Sequence, residues 1–232
     1  EILVSDGIAV AYTRSASGGQ GPAQRKAGKD LAGASLVAVD GRTGKTLWER
    51  QVGRIHPLTL AIDKGRIVYL SGKELVTLRL KDGDELWRIQ PKLTTPRTLL
   101  TVDDVIVMQG GKLVAAYDAV DGKALWGKTA PPIGGGEGDD LFVINGLVYR
   151  GILNVDDAGQ PMDKSPNALV IGWDLRSGKE SRRIFVKNLR SPEHHHRCYR
   201  NKATTRYLIS SYEGAEFLDF QGDNHSQNNW IR

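Results

Sequence analysis

A glycine and a tryptophan recur in this sequence at a fixed spacing. Three turn glycines lie 39 residues apart, and each is followed four residues later by a tryptophan. The pairs are Gly44 with Trp48, Gly83 with Trp87, and Gly122 with Trp126. A fourth copy leads to Gly178 and has Arg182 in the tryptophan position. A repeat of about 40 residues predicts that one supersecondary unit is used several times.

A second turn residue opens an apolar segment before each turn glycine. In the two plain copies, Gly65 and Asp104 precede their turn glycine by 18 residues and follow the previous one by 21. The same position is held by Gly7 and Gly146, and by Thr205 in a fifth copy. The apolar segments around these turns give four short strands per unit, which we name A to D in chain order. Four antiparallel strands in about 40 residues have the size of a propeller blade.

The predicted fold class is therefore all-β: a β-propeller of four-stranded antiparallel blades, with about five blades present. A six-bladed or larger ring needs more chain, so we expect either an incomplete ring or partner strands supplied elsewhere. The chain opens inside a strand pattern, so we expect a fragment or a processed product. Residues 1–232 are predicted to form one domain. The predicted blades are 1–53 with an insertion at 13–34, 54–92, 93–131, 132–190 with an insertion at 151–168, and 191–232.

The turn between strands C and D carries a family resemblance. The segment from Asp40 through Thr43, Gly44 and Lys45 to Trp48 resembles the tryptophan-docking repeat of PQQ-like propellers. These include quinoprotein alcohol dehydrogenases and the BamB-type outer-membrane assembly lipoprotein. Residues 195–204 also resemble a block in large PQQ-like repeat proteins of environmental bacteria. The resemblance implies a periplasmic or cell-envelope location and structural docking by the three glycine–tryptophan pairs, but a fold does not by itself imply a cofactor.

The departures from the period predict where binding takes place. The B–C link is 19 residues longer than standard in the first blade and 14 longer in the fourth, and two D–A links are also longer, by 3 and 6 residues. In an antiparallel meander the B–C and D–A links leave the sheet at the same end. Elaborated loops on a rigid scaffold usually carry the binding function. We therefore expect the binding surface at this end of the blades.

The fourth D–A link is rich in basic residues, and the whole chain has a formal net charge of +5. The candidates for contact with an anionic partner are Arg190, Arg197, Arg200 and Lys202. Such charges attract polyanions, so an anionic polymer or an acidic protein is expected to bind there. A merely solvated loop is the alternative. Nucleic acid is not expected, because no aromatic stacking motif accompanies the basic residues.

One short string has the residue types of a metal site. In an extended segment His194, His196 and Cys198 would point to one side of the backbone, and imidazole with thiolate suits zinc or copper. Polar loop packing and a buried structural cysteine are the alternative.

Two other motifs resemble binding sites but do not match them. Residues 41–46 imitate a phosphate-binding loop but join two strands, and the aspartates 156, 157 and 163 lack the spacing of a calcium-binding EF-hand loop.

No set of residues forms a recognisable catalytic site. The quinoprotein dehydrogenases that the repeats resemble use a vicinal disulfide, a calcium ion and a carboxylate base, and Cys198 is the single cysteine of this chain. No apolar run has the roughly 18 residues of a membrane span. The favoured function is a non-catalytic binding or assembly propeller without a cofactor. The alternative is part of a PQQ- and calcium-dependent oxidoreductase whose site needs further blades.

Overall fold

Short alternating apolar segments separated by turn residues favour antiparallel strands. In the computed structural model, all the regular secondary structure of the described residues is β-strand. The described residues are 1–14, 33–93, 95–129, 140–151, 153–162, 165–188, 201–210, 215–220 and 226–229. In this part of the chain, no helix has the length and apolar character needed to cross a membrane.

The strands form five antiparallel sheets. The first contains β1 (Ile2–Ser5), β2 (Ile8–Arg14), β3 (Ala34–Asp40) and β4 (Thr46–Val52). The second contains β5 (Ile55–Asp63), β6 (Arg66–Ser71), β7 (Glu74–Arg79) and β8 (Glu85–Ile89). The third contains β9 (Pro96–Val102), β10 (Val105–Gly110), β11 (Leu113–Asp118) and β12 (Ala124–Thr129).

The fourth and fifth sheets complete the series. The fourth contains β13 (Phe142–Ile144), β14 (Leu147–Tyr149), β15 (Leu153–Val155), β16 (Asn167–Asp174) and β17 (Glu180–Val186). The fifth contains β18 (Lys202–Ala203), β19 (Tyr207–Ser210), β20 (Ala215–Asp219) and β21 (Ser226–Asn229). The predicted fold class is confirmed, because these are five meander sheets of an incomplete β-propeller. The fourth sheet differs from the prediction by its extra short strand, β15.

The chain forms two compact units. The first holds Glu1–Leu93, Thr101–Asp104 and Asp118–Lys123. It includes the first two sheets and both the A–B and the C–D turn of the third. The second unit holds Thr94–Leu100, Val105–Tyr117 and Ala124–Arg232. It includes the remaining strands of the third sheet and the whole of the fourth and fifth.

The turn between strands A and B is tight and is tied to strand C. In the first sheet Asp6 and Gly7 have φ values of 51° and 73°, and two successive positive values are typical of a type I′ hairpin turn. The carbonyl of the second turn residue accepts a hydrogen bond from the first backbone N–H after strand C. This bond recurs in all five sheets: Gly41 to Gly7, Leu80 to Gly65, Ala119 to Asp104, Leu175 to Gly146 and Phe220 to Arg206, at 2.7–3.0 Å.

The turn between strands C and D explains the repeated aspartate. Asp40 Oδ1 accepts hydrogen bonds from the Thr43 backbone N–H at 2.7 Å and from the Thr43 hydroxyl at 2.8 Å. Asp174 makes the same pair of bonds with Ser177. The hydroxyl bond is the main reason why the pKa of each carboxyl is lowered. Residues 41–45 are therefore the turn between β3 and β4, and an aspartate side chain organises it.

Each repeated tryptophan lies on the turn of the next sheet. Its indole N–H donates to a backbone carbonyl there: Trp48 to Leu80 at 2.8 Å, Trp87 to Ala119 at 3.1 Å and Trp126 to Leu175 at 2.9 Å. Its ring lies over the turn glycine: Trp48 over Gly83, Trp87 over Gly122 and Trp126 over Gly178. A Cβ atom added to these glycines would lie only 2.8, 2.8 and 2.6 Å from the ring, respectively. The close approach therefore requires glycine.

Behind the tryptophan, two sheets share one apolar core. The first sheet contributes residues such as Val10, Leu36 and Ala38, and the second contributes Leu60, Ile67 and others. All five of these side chains are at most 5% exposed. A second core, which includes Tyr149, Val170 and Leu208, joins the fourth sheet to the fifth. Burial of apolar surface between neighbouring sheets thus accompanies the tryptophan contact.

We predict that Gly83→Ala destabilises the protein more than Gly44→Ala does. Both glycines have a positive φ, 75° and 72°, so alanine pays a similar backbone penalty of about 1–2 kcal/mol at either site. A Cβ at Gly44 meets no atom within 4 Å, whereas one at Gly83 meets the Trp48 ring. Overpacking of this kind costs about 1–3 kcal/mol more. Urea denaturation of the two variants measures the difference, and equal losses of unfolding free energy would contradict the packing role.

Candidate functional site

Most of the residues predicted to bind a metal or an anion lie outside the described part of the chain. These are His194, His196, Cys198, Arg190, Arg197 and Arg200. Lys202 is described and is exposed, in β18. Among the described residues no three His, Cys, Asp or Glu side chains lie close enough together to hold a metal ion. The metal and anion sites therefore remain predictions from the sequence.

The insertion at 151–168 is partly a continuation of the fourth sheet. β14 and β15 both pair with β16, at its two ends. Leu153 and Val155 are buried against Leu169 in a small core of their own. The insertion thus lengthens strands B and C before it becomes a loop. Leu153 and Val155 alternate with Asn154, and this alternation places the two apolar side chains on one face of β15, where they can be buried.

The loop beyond β15 is held by its own polar side chains. Asp156 Oδ1 accepts hydrogen bonds from the backbone N–H groups of Ala158 at 2.9 Å and Gln160 at 2.8 Å. The Asn167 side chain donates to Asp157 at 3.1 Å and accepts from the Asn188 backbone N–H at 3.2 Å. The predicted insertion aspartates Asp156 and Asp157 thus organise this loop, and Asp163 lies outside the described residues.

A buried arginine lies at the B–C and D–A end of the third and fourth sheets. Arg150 follows β14 and is 7% exposed. Its Nε donates to Gln109 Oε1 at 3.0 Å, and its terminal Nη2 donates to the Gly111 carbonyl at 3.0 Å. The Gln109 side chain donates in turn to the Asp140 carbonyl at 3.1 Å. This network joins the ends of two B strands to the D–A link that enters the fourth sheet.

Burial is the main influence on the pKa of Arg150. Desolvation lowers the pKa of Arg150 from its ordinary value, because a charge is less stable away from water. Gln109 and Asp140 are 1% and 3% exposed, so the polar groups around Arg150 are also removed from solvent. A network of this kind rigidifies its surroundings when its members are hydrogen-bonded. We call Gln109, Gly111, Asp140 and Arg150 the rim network.

The rim network was not predicted from the sequence, although the sequence contains a signal for it. Arg150 is four residues after the turn residue Gly146, and the equivalent positions in other repeats hold Tyr69 and Met108. A charged side chain in an apolar strand position is informative, since such residues are rarely buried without partners. The aligned repeats thus mark Arg150 as exceptional, but the identity of its partners depends on the contacts between sheets.

The first comparison concerns sequence families. The family model described as "Outer membrane protein assembly factor BamB", with PQQ repeats, matches residues 32–135. This interval contains all three glycine–tryptophan pairs of the plain repeat. No curated protein matches the sequence.

The second comparison concerns solved structures. A quinohemoprotein alcohol dehydrogenase from Comamonas testosteroni has a TM-score of 0.57 at 14% identity, over 98% of this chain and 42% of its own. A europium-containing methanol dehydrogenase has a TM-score of 0.56 at 14% identity, over 98% and 50%. Hsv2 from Kluyveromyces lactis has a TM-score of 0.56 at 9% identity, over 85% of this chain and 58% of its own. The chain spans about half the length of these proteins, and at such identities the likeness shows the fold alone.

We predict that Arg150→Met lowers the free energy of unfolding by about 1–3 kcal/mol, because it leaves the buried acceptors of Gln109 and Gly111 without their donor. Arg183→Met is the matched control. Arg183 pairs with Glu180 on the surface, with 52% and 41% of their side chains exposed, and exposed pairs contribute under about 1 kcal/mol. Urea denaturation of both variants checks this. A loss at Arg150 no larger than the loss at Arg183 would contradict the structural role of the rim network.

The sequence, the structure and the family comparison agree on the repeat of this chain. Three glycine–tryptophan pairs recur 39 residues apart, each of their indoles lies on the turn glycine of the next sheet, and the BamB model matches residues 32–135. Residues 32–135 therefore match the BamB model with its PQQ-like repeats, and the chain has the fold of an incomplete β-propeller.

Proposed function

We propose that this protein is a non-catalytic binding and assembly scaffold of the cell envelope. In this proposal the B–C and D–A links bind a protein or an anionic polymer. The match to a family described as an outer membrane protein assembly factor is the observation that carries it. A periplasmic or envelope location is part of the same proposal.

The geometry of the fourth sheet supports a binding role for this end of the blades. Arg150 fixes the ends of two B strands, and Asn167 fixes the inserted loop through Asp157 and Asn188. Preorganised loops lose less conformational freedom when a partner binds. The described part of the insertion at 151–168 is therefore held in place by hydrogen bonds, as a docking surface needs, and no chemical step is required of it.

The charge of the fourth D–A link supports an anionic partner. Lys202 is exposed where this link enters β18, and Arg190, Arg197 and Arg200 precede it in the sequence. A cluster of positive charges on a binding surface speeds association with acidic partners and favours them over other partners. We infer that these four residues form the anion-contacting part of the scaffold.

A PQQ-dependent oxidoreductase is the second candidate, on the strength of the fold that the chain shares with two dehydrogenases. The residues of this chain do not fit that site as the family resemblance describes it. The single cysteine cannot form a vicinal disulfide, and the described residues bring no three candidate metal ligands together. We therefore derive no redox step and propose that the scaffold needs no cofactor.

We predict that reversing the charge of the fourth D–A link weakens binding to a sulfated polymer. The variant is Arg190→Glu, Arg197→Glu, Arg200→Glu and Lys202→Glu, tested on immobilised heparin with a salt gradient. It is expected to elute at clearly lower salt than the wild type, because screened Coulomb attraction holds the complex.

The matched control reverses four exposed lysines of the C–D turns, which leave each sheet at the opposite end. They are Lys45, Lys81, Lys123 and Lys179, and their reversal changes the net charge by the same amount. The control is expected to elute at salt close to that of the wild type. If both variants shift equally, the binding is a property of net charge and the proposed site is wrong.

We also predict that PQQ with calcium does not bind in a saturable manner. Titration followed by quinone absorbance and by dye reduction checks this directly, with total metal content measured on the purified protein. A stoichiometric quinone signal, with calcium-dependent dye reduction, would favour the oxidoreductase instead.

A further inference from the structure

The A–B turn of the fourth sheet consists of an asparagine followed by a glycine. Asn145 and Gly146 form this turn with φ values of 51° and 75°, which is typical of a type I′ hairpin. Both residues are exposed, and a Cβ atom added to Gly146 would meet nothing within 4 Å. Asn145 is the only asparagine of the sequence that glycine follows. Because glycine has no Cβ, the peptide nitrogen after Asn145 is less crowded than the nitrogen after any other asparagine.

The side chain of Asn145 connects the fourth sheet to the fifth. Its Nδ2 donates a hydrogen bond to the Thr205 carbonyl at 3.0 Å, and Thr205 lies in the A–B turn of the fifth sheet. The second sheet has an equivalent contact. There Lys64, which precedes Gly65, donates to Asp104 Oδ2 in the A–B turn of the third sheet at 2.8 Å. In both places the first residue of an A–B turn is a donor to the corresponding turn of the next sheet.

This contact has special weight because the fourth sheet lacks the repeated tryptophan. Arg182 stands in its column, opposite Gly172 of strand C. The Tyr149 ring lies over Gly172, where an added Cβ would be 2.7 Å from the ring, and it contacts the Phe220 ring after β20 at a centroid distance of 4.6 Å. The Asn145 bond thus supplies here what the indole bond supplies elsewhere, a hydrogen bond from a side chain to a carbonyl of the next sheet.

We propose that Asn145 is a site of spontaneous deamidation, and that its conversion into a carboxylate loosens the contact between the fourth and fifth sheets. The amide nitrogen is a donor, whereas an ionised carboxylate only accepts hydrogen bonds. The new carboxylate faces the Thr205 carbonyl, which is also an acceptor, so the bond is lost and the two oxygen atoms repel each other. An isoaspartate product also lengthens the backbone of a two-residue turn, whose geometry sets the hairpin.

The reaction requires only the groups of the turn and water. The Gly146 backbone nitrogen attacks Asn145 Cγ, and a new C–N bond closes a succinimide ring. The side-chain nitrogen leaves as ammonia and takes up the proton that the Gly146 N–H loses. Water then adds to one of the two ring carbonyls, and the bond from that carbonyl to the ring nitrogen breaks, which gives aspartate or isoaspartate. Because the bond to Thr205 holds the amide, the ring closes when the two turns separate transiently, as in local unfolding.

Mass spectrometry of aged protein tests the site. The folded protein is incubated in mildly alkaline buffer, which helps to remove the proton from the attacking nitrogen, and is then digested with trypsin. Peptide 129–150 contains Asn145 and no other asparagine or glutamine, so its mass increase reports this site alone. Peptide 151–164 is the internal control, because Asn154 is followed by the β-branched Val155. We expect peptide 129–150 to gain mass well before peptide 151–164. An unchanged peptide 129–150, or equal conversion of both peptides, contradicts the proposed site.

Phe220→Leu tests the link between deamidation and the contact of the two sheets. Leucine occupies the equivalent position in two other repeats, as Leu80 and Leu175, so the variant keeps an apolar residue and removes the ring contact with Tyr149. Aromatic pairs are worth enough to change the opening equilibrium about two- to tenfold. Deamidation of Asn145 should therefore be about two- to tenfold faster than in the wild type. An unchanged rate would mean that ring closure does not depend on separation of the sheets.

Hydrogen exchange of Asn145→Asp tests the consequence of the modification. This variant is a uniform sample of the aspartate product. Exchange in the fifth sheet should be about two- to tenfold faster than in the wild type, as expected for the loss of one hydrogen bond. Asn188→Asp is the matched control, since Asn188 is also exposed and has a φ of 53°, and it should leave this exchange unchanged.

Retained exchange protection in β5–β8 shows that both variants fold. If fifth-sheet exchange in Asn145→Asp equals that of the wild type, or if both variants accelerate it equally, the modification does not loosen the contact and the proposal is wrong.

Discussion

The contact between an indole ring and a turn glycine fixes how each of the first three sheets meets the C–D turn of the next sheet. The indole N–H of Trp48, Trp87 or Trp126 bonds a carbonyl of the next C–D turn, and its ring lies where a Cβ atom would be. Apolar burial alone is not directional. The hydrogen bond and the close contact add direction, because they fix which residue of one sheet meets which residue of the next.

This constraint explains which parts of the chain vary. The A–B and C–D turns carry the bonds that recur from sheet to sheet, so their length is kept. Among the described residues the B–C and D–A links carry none of these bonds, and these links accommodate the insertions. At the third and fourth sheets, the rim network around Arg150 nevertheless orders the described part of this end by buried polar contacts. A rigid scaffold with elaborated links at one end of its sheets is the physical basis of the proposed binding function.

The fold was predictable from the sequence because its signals are local and repeated. Hairpin turns, strand alternation and the 39-residue spacing recur in every plain copy, and together they predicted the order of strands. β15 was not predicted, since three residues inside an insertion give too short a pattern. The partners of Arg150 were also beyond the sequence, because Gln109 and Asp140 meet it only through the packing of sheets. The metal candidates His194, His196 and Cys198 stay predictions.

Exchange of the tryptophan indole protons tests the central claim most directly. In a ¹⁵N-resolved NMR spectrum the chain should show five indole signals, one for each tryptophan. The account predicts that the indole protons of Trp48, Trp87 and Trp126 exchange slowly. Each proton should lose its protection when the sheet whose carbonyl accepts its hydrogen bond opens. If these three indole protons exchange at the rate of a free indole while the backbone amides of the same sheets stay protected, the tryptophans do not join the sheets and the account is wrong.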